Sequence, residues 1–456
     1  MTVTCKVYTG TYNVYCFQIK HFINIFESKQ KVMRNTIVLQ LLLLFCHIAG
    51  AQVDSNAVLD NFKEGEYFFN RGDYQEAAYF YKLVLLHYPE NSNFNFKLGA
   101  CYMNIPGSEV HAIPFFEKAV KQTVSKSKYR QRDFYETNAP LHAWYYLGNV
   151  YRMNDMLDKA LESYQTFVSS PFYYGNYNVS IVENEIKSCE RSKIIRDSPV
   201  SIEEYALDTV INTSADEINP VISPDGQVLL FVRRLRFYDA IFVTFRRDDT
   251  WEQPVNLNPV IGSDGDYYPV YISNNASEIY FVRVTDGEGD IYVSHSTSDH
   301  SWSKAVPLNK HINSSGNETW ASLTSDGQTI WFSSSRKRGR GGLDIYYSEK
   351  NANGVWTRPH NAGMAINTEF DEDCPVIANN NRTLFFSSKG HYSMGGFDIF
   401  YSEQNENTWQ EPVNIGYPVN NTTDNSGFIP ENLPQSGYIS KMKEADYNIF
   451  QVRFKQ

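Results

Sequence analysis

The densest charge in the chain is a run of cations, Arg336, Lys337, Arg338 and Arg340, interrupted only by Gly339. Arg233, Arg234 and Arg236 make a second such run upstream. Guanidinium and ammonium groups packed this closely suit electrostatic capture of an anion, such as an acidic protein surface or a cell-envelope glycan like peptidoglycan. A solvated basic loop is the simpler reading, because charged loops are common. The formal net charge of −11 argues against a nucleic-acid partner. A wider charge pattern also recurs. A cation follows a strand-like run at Arg233, Arg283, Arg336, Lys389 and Lys441, and an acid precedes a neighbouring run at Glu217, Asp266, Glu318, Asp373 and Asp424. The expected consequence is a belt of ion pairs stapling one segment to the next, with packing still dominant because exposed pairs contribute only about 0–1 kcal/mol each.

Other candidates for chemistry are weaker. Asp286-Gly287-Glu288-Gly289-Asp290 alternates oxygen ligands, but it lacks the length and distal Glu of a calcium-binding EF-hand. No Cys/His cluster has zinc spacing, so neither a metal nor another cofactor is expected. No Gly-x-Ser-x-Gly nucleophile elbow occurs. Carboxylates such as Asp371 and Asp373 keep glycan cleavage or glycan binding as the alternative to a non-enzymatic role. A catalytic reading requires clustered carboxylates or an Arg triad in a central funnel. The recurring Asp239, Asp290, Asp344 and Asp398 read as structural, accepting N–H bonds from the Gly-rich turn before each. Trp251, Trp302, Trp356 and Trp409 keep the same rhythm and read as fillers between neighbouring units, each burying a large apolar surface.

The elements that must position these residues are short strands on a period of about 50 residues, which is the signature of propeller blades. First strands begin near Asn219, Tyr268, Trp320, Cys374 and Gly427. Second strands cover 228–232, 278–282, 329–333, 383–387 and 437–440, with Ser325-Asp326-Gly327 as an Asp-Gly hairpin turn. The fifth unit has neither a Trp nor a fourth strand of its own. Tyr205-Ala206-Leu207 before Asn212-Thr213 resembles Val413-Asn414-Ile415 before Asn420-Asn421, so the N-terminal strand is expected to complete the last blade. Closure removes open sheet edges. Five blades are expected, with a six-bladed ring as the alternative.

Upstream, residues 54–198 carry helical periodicity. Gly65, Gly99 and Gly148 recur at one place in a first helix, and Ala77, Ala112 and Ala160 recur in a second. A basic insertion, 121–140, precedes the third pair. A seventh helix over 178–196 is expected to cover the last pair, with Val182, Ile186 and Ile194 on one face. The Trp/Phe–Leu-Gly–Tyr…Ala…Phe/Tyr…Pro pattern resembles the tetratricopeptide repeat, which implies a scaffold for protein partners. Over 200–456, Ser223-Pro224-Asp225-Gly226, Gly395-Gly396-Phe397-Asp398-Ile399-Phe400 and Trp409-x-x-Pro412-Val413-Asn414 resemble the WD40-like PD40 repeats of TolB-like propellers. The combination resembles PorE-type envelope proteins of Bacteroidetes. Those usually carry an OmpA-like peptidoglycan-binding domain as well, which is not seen before Gln456, and this puts a role in type IX secretion in doubt.

Residues 33–51 read as a secretory signal: Met33-Arg34, an apolar run over 37–48, then Ala49-Gly50-Ala51. Residues 1–32 then read as a non-native extension. The mature chain has no transmembrane segment and carries Cys101, Cys189 and Cys374. An odd number at irregular spacing reads as buried thiols, although Cys101 and Cys189 could pair. The expected protein is an exported, non-enzymatic scaffold of the periplasm or outer membrane.

Overall fold

A computed structural model describes residues 55–298, 301–431, 436–443 and 446–455. The readings of 1–32 and of 33–51 fall outside these residues.

Among the described residues seven α-helices come first: α1 (Ser55–Arg71), α2 (Tyr74–Leu85), α3 (Ser92–Met103), α4 (Ile113–Ala119), α5 (Ala143–Met153), α6 (Leu157–Val168) and α7 (Val179–Arg196). The recurring glycines explain how α1/α2, α3/α4 and α5/α6 pair. A methyl group on Gly65 would lie 2.9 Å from the Tyr81 ring, one on Gly99 3.0 Å from Phe116, and one on Gly148 closer still to Tyr164. Each glycine admits the aromatic ring of the following helix, so the rings fill the inside of a pair. Ala77, Ala112 and Ala160 are fully buried beside them. Asn178 caps α7 by accepting from the Ser180 N–H. Val182 and Cys189 pack into the array, but Ile194 is exposed. The expected face therefore breaks off near its end, where α7 turns toward the second domain. The three cysteines of this region and beyond, Cys101, Cys189 and Cys374, are buried and free.

Five blades follow. The first strands are Glu217–Ile222, Tyr267–Ile272, Glu318–Leu323, Glu372–Ala378 and Ile429–Pro430. Ile202–Ala206 pairs antiparallel with Asp446–Phe454, in the register Ala206 to Phe450 and Ile202 to Phe454. The closing strand thus starts a little before the stretch read from the sequence, and Leu207 extends it through a 3.1 Å bond to the Ile449 carbonyl. Blade 5 also packs against the first strand of blade 1, so the ring is closed.

One asparagine per blade fixes the turn into the next. The backbone N–H groups of Ile241, Ile291, Ile345, Ile399 and Ile449 donate to the side chains of Asn258, Asn313, Asn367, Asn420 and Asn212 at 2.8–2.9 Å. A buried main-chain group must find a partner, and in every blade this amide supplies it.

The belt of ion pairs needs correction. Glu217–Arg233 (2.7 Å), Asp266–Arg283 (2.6 Å) and Glu318–Arg336 (3.3 Å) form as expected, but each joins strands of one blade. In blade 4, Lys389 pairs with Asp371 at 2.9 Å, and in blade 5 Lys441 pairs with Glu204. The place of Glu318 is taken in blade 4 by Glu372, not Asp373. Thr368 and Ser388 donate to Glu372 as Ser314 and Ser334 do to Glu318. Among the described residues one ion pair does staple blade to blade, Arg246 of blade 1 with Glu431 of blade 5 at 3.4 Å, but the staple that recurs joins a side chain to a backbone N–H. Asp216 accepts from Tyr447, Asn317 from Gly289, Asp371 from Leu343 and Asp424 from Phe397, at 2.6–3.0 Å. Pairing by charge missed them because the donors are main-chain groups.

Candidate functional site

The connections from second to third strands and from fourth to first strands lie on one face of the ring, and the helical array stands on that face. Helix α7 lies along the loop of blade 4 that joins Ser388 to Asp398. Asn184 donates to the Lys389 carbonyl at 2.8 Å, Arg191 to the His391 carbonyl at 2.8 Å and Ser192 to the Met394 carbonyl at 2.6 Å, while Ser188 and Ser393 share a 3.1 Å bond. Arg152 of α5 is buried, pairs with Glu185 of α7 at 3.0 Å and donates to the Thr422 carbonyl. Gly395 has φ +129° and its Cβ direction points at the Arg152 guanidinium, 2.6 Å away. The Gly-Gly pair of this blade therefore makes room for the docking arginine. A second foothold is Gly107, packed on Met442 of blade 5.

Between these footholds Pro106 reaches the mouth of the central channel. That cavity has a volume of about 600 Å³ and draws its wall from the first strands of blades 1 to 4 and, at blade 5, from Ser426, Gly427, Ser440 and Tyr447. The first strands of blades 1 to 4 break register at one level, between Ile218 and Val221, at Phe281 opposite Pro269, between Glu318 and Trp320, and between Asp373 and Val376. Such bulges re-aim side chains. Asn219 and Cys374 adopt left-handed backbone there, at φ 56° and 51°, a conformation that is costly for residues other than glycine. Asn219 donates across to the Pro269 carbonyl at 2.7 Å, and Thr319 donates to the Asp373 carboxylate at 2.7 Å. Burial pushes the Asp373 carboxyl above its usual range, while the hydrogen bonds from Thr319 and the Cys374 N–H oppose that shift. Trp320 lines the wall with its ring N–H unpartnered. Asp373 is the carboxylate and Arg234 the guanidinium of this lining. Among the described residues no group of three or more His, Cys, Asp or Glu is placed to hold a metal ion. Asp286 and Gly287, both at positive φ, are the two-residue turn of a hairpin, which accounts for that acidic stretch.

The seven basic residues do not form one spot. Arg233 and Arg336 are largely buried stitches. Arg233 also donates to the Ile211 carbonyl at 2.8 Å, and Arg336 donates to the Ile312 and His311 carbonyls. Each lies over an aromatic ring, Phe242 at 4.6 Å and Phe332 at 4.8 Å. Arg234 is exposed at the channel rim, 3.6 Å from Asp216, and Arg236 lies over Phe237. Lys337, Arg338 and Arg340 are exposed on blade 3, separated from the first group by blade 2. Arg338 is left-handed, and the Arg340 N–H donates to Asp344 at 2.6 Å. That last bond is the turn-accepting role expected of the recurring Asp. Asp398 plays it too, accepting from the Met394 N–H.

Sequence reasoning missed Arg152, the asparagines and Glu372. The asparagines carried a signal in blades 2 to 4, where each follows the third-strand isoleucine by 21 or 22 residues; in blade 1 the spacing is 17, and Asn212 comes from the other end of the chain. Arg152 carried none, because the carbonyl on which it docks belongs to another domain.

Residues 142–171 match the tetratricopeptide-repeat family model. No curated protein matches the chain. Among solved structures it is similar to TolB from Acinetobacter baumannii (15% identity, TM-score 0.33, covering 54% of this chain and 56% of that one). It is also similar to a putative TolB from Agrobacterium tumefaciens (15%, 0.32, 57% and 99%) and to the catalytic domain of the Coprinopsis cinerea GH62 α-L-arabinofuranosidase (9%, 0.39, 56% and 98%). The chain spans little more than half the length of the Acinetobacter protein. With TM-scores this low, none of these likenesses bears on function.

Proposed function

We propose that this protein is an exported, non-enzymatic scaffold of the cell envelope that holds protein partners on its helical array, with the propeller as a docked base. The observation that carries this reading is a run of four touching aromatic rings at the outer end of the array. Tyr67 meets Phe68, Phe68 stacks on Phe80 at 5.6 Å, and Phe80 meets Tyr79. Tyr67 and Tyr79 are more than half exposed. Aromatic rings held in a contiguous surface group are typical anchors of protein–protein contacts. The channel agrees with the non-enzymatic part in that its lining holds a single carboxylate, already bonded to Thr319, rather than a carboxylate pair. Among the described residues no helix is long and apolar enough to cross a membrane. Export rests on the leader pattern of 33–51, and the PorE-type resemblance is the family reading that this function extends.

The test is recovery of cross-linked partners from the native envelope with the tagged full chain. The expected result is loss of the main partner with Tyr67→Ala/Tyr79→Ala and retention with charge reversal of Lys337, Arg338 and Arg340. Loss with the charge reversal alone would move the binding surface to the propeller rim.

A further inference from the structure

The wedges between blades repeat one arrangement, with one exception. Leu257, Leu308, Ala362, Ile415 and Leu207 occupy equivalent places, since the N–H of each donates to the carbonyl of its third-strand isoleucine at 2.8–3.1 Å. Six residues before these stand Trp251, Trp302, Trp356 and Trp409 in blades 1 to 4, and Ser201 in blade 5. The tryptophans face the preceding blade. Trp302 stacks with Phe245 of blade 1, and Trp409 meets Trp331 of blade 3 edge-on, centroids 5.5 Å apart, beside Tyr347 and Ala362. One repeat further on, the counterparts of Trp331, Tyr347 and Ala362 are Phe385, Tyr401 and Ile415. These three line a cavity of about 580 Å³ between blades 4 and 5, which Phe428, Phe454 and Val200 close from the other side. The wedge between blades 5 and 1 also has a cleft, but Trp251 is in place there and its wall is polar, with Arg246, Glu431 and Tyr438 bonded together.

We propose that the wedge between blades 4 and 5 is a binding site for a free, planar aromatic ligand of indole size, seated where the sister wedges hold a tryptophan ring. The walls are mainly aromatic and branched aliphatic, with Asn379, Thr383, Glu403 and Asn414 as the polar groups, and the volume lies in the range of small-molecule sites, about 300–1,000 Å³. An apolar cavity lined this way takes up an aromatic ring in preference to water. The Glu403 carboxylate stands at the lining's polar edge and can accept a ring N–H, as the Ala276 carbonyl accepts that of Trp302 at 2.9 Å. Ser201 is exposed and too short to fill the space itself.

The test is ligand-observed NMR with indole and the full chain. Wild type and Ser201→Ala should bind indole saturably and equally. Ser201→Trp should bind at least about tenfold more weakly, since it supplies the ring in cis, and should unfold at a higher temperature because it fills a cavity. Val413→Glu alters a half-exposed lining position that the fold tolerates, and should also weaken binding. Absence of indole binding by wild type overturns the proposal, as does undiminished binding by a folded Ser201→Trp. Should Ser201→Trp fail to fold, Val413→Glu decides, and unchanged affinity there has the same consequence.

Discussion

Blades 3 and 4 hold a buried glutamate at the same position, one with an arginine partner and one without, and this predicts opposite responses to the same substitution. Glu318 accepts from Ser314 and Ser334 and faces Arg336. Glu372 accepts from Thr368 and Ser388, but Gly390 stands where Arg336 would be, and the His391 ring reaches the Ile366 carbonyl instead. Burial holds that imidazole's pKa below its usual value. Without a cation, burial pushes the Glu372 carboxyl from 4.5 up to about 7, against the pull of its hydrogen bonds. The sign for stability follows. Below pH 4.5 the folded and unfolded chains both carry the proton. Between 4.5 and 7 only the folded chain does, so stability falls as pH rises, and above 7 the loss is complete. At about 1.4 kcal/mol per pH unit the total is about 3 kcal/mol. Glu372→Gln should therefore match wild type at pH 5 and exceed it at pH 8 by up to about 3 kcal/mol, less whatever the amide loses in hydrogen bonding. Glu318→Gln leaves a largely desolvated guanidinium unpaired and should cost about 3 kcal/mol, the low end for a broken buried pair because Arg336 keeps two carbonyl partners. Urea unfolding of the full chain at both pH values measures this. A Glu372→Gln protein less stable than wild type at pH 8, or a Glu318→Gln protein as stable as wild type, would refute the reasoning.

Three further predictions address the other joints. Gly395→Ala places a methyl group against Arg152 at a strained φ, and Arg152→Ala removes the docking bond to Thr422; either should loosen the two domains, read as faster proteolysis between Asp197 and Ser201. Gly148→Ala crowds Tyr164 more than Gly65→Ala crowds Tyr81, so the helical array should lose about 1–3 kcal/mol with the first and less with the second in thermal unfolding. Asn367→Ala strands the buried N–H of Ile345, whose carbonyl keeps the Ala362 N–H, and should cost about 1–3 kcal/mol of propeller stability in urea.

Much of this architecture was legible because it repeats. Tryptophans and the Asp-Ile-Tyr/Phe segments at a period of a little over 50 residues marked the blades, and the likeness of 205–213 to 413–421 pointed to closure. The glycines opposite Tyr81, Phe116 and Tyr164 were legible for the same reason. What the sequence hid falls into two kinds. Side chains bonded to main-chain groups, such as Asp216 to Tyr447, leave no complementary residue to find. Contacts between domains, such as Arg152 with Thr422, occur once and leave no rhythm. The basic run misled because charge counts do not reveal that Arg233 and Arg336 are spent inside their own blades.

Ring closure fixes the loop face, the channel and the unfilled wedge, and hydrogen exchange on the intact chain tests it most directly. The amides of Glu203, Tyr205 and Leu207, which by antiparallel alternation face Asp446–Phe454, should exchange as slowly as the bonded amides of blades 1 to 4. Rapid exchange across 202–207 beside slow exchange in blades 1 to 4 would mean that the closing strand is not in the sheet, and would contradict the account.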